Sequence, residues 1–107
     1  MGKSERRALG SHLRNLLMHL LKWQFQPGLR SGGWRLSINN ARAEIAEILE
    51  ESPSLRPVTS QVLTKGYGLA RKNAIAETGL SPAVFPEANP YSLEHVLSDD
   101  FLPGEPV

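Results

Sequence analysis

Five leucines near the start of the chain constrain it most. Leu9, Leu13, Leu16, Leu17 and Leu20 fall on one arc of about 100° when residues are placed at helical steps, with Leu21 just beyond it. Arg7, Arg14, Asn15 and Lys22 lie on the other side. A stripe this apolar needs other amphipathic surfaces to cover it. The spacing predicts a helix over residues 3–26, stopped by Pro27-Gly28.

Two further helices follow by the same reasoning. Trp34, Ile38, Ala41, Ile45 and Ile48 are spaced 4, 3, 4, 3, with Glu44, Glu47, Glu50 and Glu51 on the flank and opposite side. This predicts a helix over 34–51, closed by Ser52-Pro53 because the residue before proline leaves the α region. Ser54 then reads as the N-cap of a third helix over 55–78, with Pro57 in its first turn and Gly79 as its C-cap. Leu55, Val58, Val62, Leu69 and Ala76 supply its expected stripe. Gly66 on that stripe marks either a close helix crossing or a weakened helix.

From residue 80 onward prolines interrupt every long element, while Ser81 and Ser92 each look like the cap of a short helical turn. Phe85, Tyr91, Leu97 and Phe101 are too apolar for a free tail, so 80–107 reads as a strap pinned on the helices. No strand periodicity appears. The expected class is all-α: one domain over 1–107, a three-helix bundle with a Pro-rich C-terminal strap carrying one or two short helical turns.

Composition removes several chemistries. The chain has no cysteine, which excludes disulfides, thiolate metal sites and a thiol nucleophile, and suits a reducing compartment. Its longest apolar run, Leu16 to Leu21, is broken by His19 and is too short for a signal peptide or a membrane span. Gly2 lacks the Ser or Thr that myristoylation wants, since Arg6 stands there. A soluble, cytoplasmic protein is expected. Net charge is +1, but residues 1–35 carry seven Lys/Arg against one Glu, whereas 79–107 carry five acids and no base.

The sequence resembles an uncharacterised bacterial family, number 29 among the domains of unknown function. The resemblance rests on His19-Leu20-Leu21-Lys22-Trp23-Gln24 with Gln26-Pro27, on Arg30-Ser31 and Trp34-Arg35, and on Pro53-Ser54-Leu55-Arg56-Pro57. It continues through Glu77-Thr78-Gly79-Leu80, Phe85-Pro86, Pro90-Tyr91-Ser92 and Asp100-Phe101-Leu102-Pro103. It implies an all-helical fold and, the family having no established activity, little chemistry. It also implies an N-terminal segment before this point. Lys3, Arg6 and Arg7 at the positive end of the first helix dipole agree with a helix that begins upstream. The family tends to have cysteine where this chain has Asn89, so thiol chemistry could not operate here.

No catalytic constellation is recognisable. His12 and His19 are seven residues apart, roughly 10.5 Å along a helix, too far to share a metal ion. No nucleophile elbow occurs, and the acid pairs Glu47/Glu51 and Asp99/Asp100 read as solvated surface. Glu50 and Glu51 at the negative end of the second helix call for cationic neighbours, Arg56 or the basic face of the first helix.

The segment from Lys22 to Arg35 is the most informative. Lys22, Arg30 and Arg35 interleave with Trp23, Phe25 and Trp34 around Ser31-Gly32-Gly33, whose glycine N–H groups at a helix start suit an anion. One reading is a phosphate or nucleic-acid contact through Lys22, Trp23, Arg30, Gly32, Gly33, Trp34 and Arg35. The other is a structural corner, with both tryptophans in the core and the cations paired to the acidic strap. For the whole chain the leading expectation is a protein-interaction or oligomerisation module using an apolar helix seam, with a second copy or another protein as partner. Nucleic-acid or anion binding is the alternative, and no metal, cofactor or membrane partner is expected.

Overall fold

The computed structural model describes residues 3–104; Gly2 and the end of the expected strap at Glu105, Pro106 and Val107 lie outside them. Three long helices run up, down and up: α1 (Lys3–Phe25), α2 (Gly32–Glu51) and α3 (Thr59–Thr78), followed by the short α4 (Leu93–Leu97). No strand occurs among the described residues. The helix α1 is central, packed by α2 on one side and α3 on the other. It runs parallel to α3, because Gly10 faces Val62, Arg14 lies over Gly66 and Lys22 reaches Glu77.

The leucine stripe does what its spacing demands. All six leucines from Leu9 to Leu21 are fully buried, against Ile38, Ala41, Ile45 and Leu49 of α2 and Leu63, Tyr67, Ala70 and Ala74 of α3. A seam of α1 left open for a partner is therefore not present among the described residues; its apolar face is covered within the chain. The large hydrophobic side chains most exposed to water are Leu29, Leu36, Leu69 and Val84.

Two boundaries differ from those the sequence predicts. α2 begins at Gly32, because Ser31 is the cap: extended itself, it accepts from Trp34 N–H at 3.2 Å. α3 begins at Thr59 rather than at residue 55. The chain turns directly after Ser52 into a 3-10 stretch, Pro53–Val58, which carries Pro57 past its first turn. There the proline ring and missing N–H oppose α geometry, so Ser54 is no N-cap, and regular α-helix starts only beyond Val58. The expected stripe of α3 is also rotated. Leu63, Tyr67, Ala70 and Ala74 face the core, whereas Leu69 and Ala76 are exposed.

The strap closes over the bundle. Phe85, Tyr91, Val96 and Leu102 are buried, and Leu97 and Phe101 pack half-buried against them. Ser81 and Ser92 cap their short turns by accepting from Ala83 and His95 N–H. Its polar fastening is arginine to backbone rather than charge to charge. Arg71 donates to the carbonyls of Pro82 and Phe85, and Arg42 to those of His95 and Val96. Tyr67 adds its hydroxyl to the Pro86 carbonyl, and Tyr91 O–H reaches Gln24 Oε1 at 2.6 Å. Asn89 Oδ1 accepts from Tyr91 N–H at 2.9 Å and forms a local turn.

Candidate functional site

The segment that the sequence singles out forms the corner between α1 and α2, and its cations are largely engaged there. Lys22 is buried, paired with Glu77 of α3, with its ammonium 4.8 Å from the centre of the Trp34 ring. Arg30 lies over the Trp23 ring at 5.1 Å and donates from Nε to the Trp23 carbonyl at 2.8 Å. It also reaches the strap, at the Pro103 carbonyl and not at an acid. Trp23 is buried, and its indole Nε1 has no hydrogen-bond partner among the described residues. Gly32, Gly33 and Arg35 are exposed, and Trp34 is half-buried. The corner thus uses two of its three cations to hold α1, α2, α3 and the strap together.

A different cluster of positive charge faces water. Between the first half of α1 and α3 runs a groove of about 550 Å³. Lys3, Arg6, Arg7 and Arg14 line it from α1, and Lys65 with Gln61 from α3; no acidic side chain is among the lining residues. Its floor is Val62, Leu69 and the two glycines Gly10 and Gly66. The glycines create the space. A Cβ on Gly66 would stand 3.1 Å from Arg14 Cγ, and one on Gly10 3.3 Å from an Arg14 guanidinium nitrogen. Arg14 therefore lies along a glycine-floored channel with its charged head in the groove.

Lys3, Arg6 and Arg7 stand out in the sequence as an unfavourable load on the helix dipole, but their convergence with Arg14 and Lys65 is not visible there. It depends on α1 and α3 being parallel neighbours. Among the described residues Lys3, Arg6, Arg7 and Lys65 make no ion pair. Five cations facing one channel repel one another, and an anion entering it would relieve that repulsion.

A smaller depression of about 290 Å³ lies beside α2, where Arg42 and Arg56 share its lining with Glu50. Arg56 and Glu50 line the same depression, but no ion pair joins them among the described residues. No group of three or more His, Cys, Asp or Glu able to hold a metal ion gathers among the described residues. His19 instead turns its Nδ1 to the Asn15 carbonyl at 2.8 Å. No helix among them is long and apolar enough to cross a membrane.

Fold and site together define a small all-helical domain with a cation-lined surface groove. Residues 1–102 match the family model described as the domain of unknown function DUF29, and the chain belongs to that family. No curated protein and no solved structure matches it.

Proposed function

We propose that this domain is an interaction module that docks an acidic protein surface in the groove between α1 and α3. The observation that carries the reading is the convergence of Lys3, Arg6, Arg7, Arg14 and Lys65 on one channel with an apolar floor and no lining acid. A helix laid in such a channel would place apolar residues on Val62 and Leu69 and carboxylates against the rims, the helix-in-groove mode of recognition. The seam is therefore amphipathic, in place of the purely apolar one that the sequence suggests. The lack of cysteine supports a cytoplasmic setting for it.

A phosphate-bearing partner, nucleic acid included, is the second reading. Three of the five cations are arginines, whose forked guanidinium suits phosphate. Against it stand a net charge of only +1 and the apolar floor. The corner residues Lys22 and Arg30 lend it little support, since both already have partners within the chain.

The two are separated by measuring binding to fluorescent poly-L-glutamate and to single-stranded and duplex DNA and RNA, at about 50 and 500 mM salt. The expected result is salt-sensitive poly-L-glutamate binding that falls at least tenfold in Arg7→Glu/Lys65→Glu. Binding to nucleic acid alone would favour the second reading. No binding to any probe, or binding indifferent to the substitutions, would overturn both.

A further inference from the structure

We infer that the groove is filled by the acidic outer face of α2 from a second copy of this chain, an inference that rests on the groove being an anionic docking site. The chain carries its own complement to that channel. Glu44, Glu47, Glu50 and Glu51 are all exposed, and at helical steps they fall within an arc of about 120° on the side of α2 turned away from α1. Ala43 is exposed near one edge of this arc, about 20° from Glu50. A residue that small lets a helix backbone come close, and the two glycines offer the same on the groove floor.

The charges also match in register. Arg7 and Arg14 are seven residues apart on α1, and Glu44 and Glu51 are seven apart on α2, two turns or roughly 10.5 Å in each case. A docked α2 therefore sets one acid against each arginine. Lys65, next to Gly66 at the level of Arg14, adds a cation on the far rim. Within one molecule this pairing does not occur, because α1 separates α2 from α3. Glu44, Glu47 and Glu51 make no ion pair among the described residues. Each chain thus displays a basic channel and an acidic ridge that it cannot use on itself. An interface of this kind is steered and held by charge, so it weakens as salt rises.

The test is a pair of charge reversals, followed by light scattering after size exclusion and by sedimentation velocity at about 50 and 500 mM salt. One variant is Arg7→Glu/Lys65→Glu, the other Glu47→Lys/Glu51→Lys. The wild-type chain is expected to run at no less than twice the monomer mass at low salt and to dissociate at high salt. Each variant alone is expected to be monomeric. Mixed together they should associate again, since the reversed channel of one meets the reversed ridge of the other. That rescue needs two folded proteins, so it cannot come from misfolding. A wild-type chain that stays monomeric at about 200 μM and low salt overturns the inference, as does association that survives either variant. If poly-L-glutamate still binds such a monomer, the groove remains a docking site and the second copy is not its partner.

Discussion

Arg42, standing on the apolar side of α2, donates from Nε to the carbonyl oxygen of Val96 at 2.9 Å and from Nη2 to that of His95 at 3.3 Å. This fastens α4 to α2 at a point closed to water. Burial pulls the guanidinium below its usual pKa, and Asp99 and Asp100 push it back while Arg35 adds to the lowering. Replacing it with methionine keeps the stem but leaves two strap carbonyls without a donor. Arg42→Met is expected to lower stability by about 2 kcal/mol, read as a reduced urea midpoint at unchanged slope. Arg42→Lys should recover little, because a single ammonium cannot reproduce the planar fork.

Lys22 and Glu77 form an ion pair of unequal burial, 7% and 53% exposed. The two truncations should therefore differ. Lys22→Met leaves an exposed carboxylate that water solvates at once, so its cost should be under about 1 kcal/mol. Glu77→Ala strands a buried ammonium with only the Trp34 face beside it, and should cost more, about 1–2 kcal/mol. Equal losses in denaturant titration would mean that the pair is screened as a surface contact.

Two tyrosines tie stability to alkaline pH. Burial raises the pKa of Tyr67, partly offset by Arg71, and raises that of Tyr91 further. A folded-state pKa above the unfolded value means that the native state holds its proton more tightly. The corresponding stability is complete below the ordinary tyrosine pKa of about 10 and declines as pH rises beyond it. Unfolding midpoints between about pH 9 and 11 should fall in the wild type and fall less steeply in Tyr67→Phe/Tyr91→Phe.

Two glycines of one helix predict opposite signs. Gly79, the C-cap of α3, sits at φ +71°, a region costly for any side chain, so Gly79→Ala should destabilise by about 1 kcal/mol. Gly68 lies mid-helix with open space where a Cβ would go, so Gly68→Ala should stabilise by up to about 1 kcal/mol. Thermal melts of the two variants check this directly.

The fold was legible because the leucines of α1 leave one way to be buried. The end of α3 was equally legible, since Gly79 offers the left-handed cap. The register of α3 was not, for a physical reason. Val62 and Leu69, counted as core, form the groove floor, while the core side of α3 rests on Leu63 together with Tyr67 and alanines that a hydrophobic stripe undervalues. The fastening of the strap was hidden too, because the partners of Arg42 and Arg71 are backbone carbonyls, identical at every residue. The charge cluster was half visible: Lys3, Arg6 and Arg7 stand out along the chain, but Lys65 joins them only through the parallel packing of α1 and α3.

A two-dimensional ¹⁵N–¹H spectrum titrated with poly-L-glutamate tests the groove most directly, since the molecule supplies its own reporters. Gly10 and Gly66 lie on the groove floor, and the indole N–H groups of Trp23 and Trp34 mark the corner at the other end of α1. The account predicts saturable shifts at Gly10, Gly66 and Lys65 with both indole signals unmoved. Shifts led by the indoles, or none at the two glycines, would contradict it.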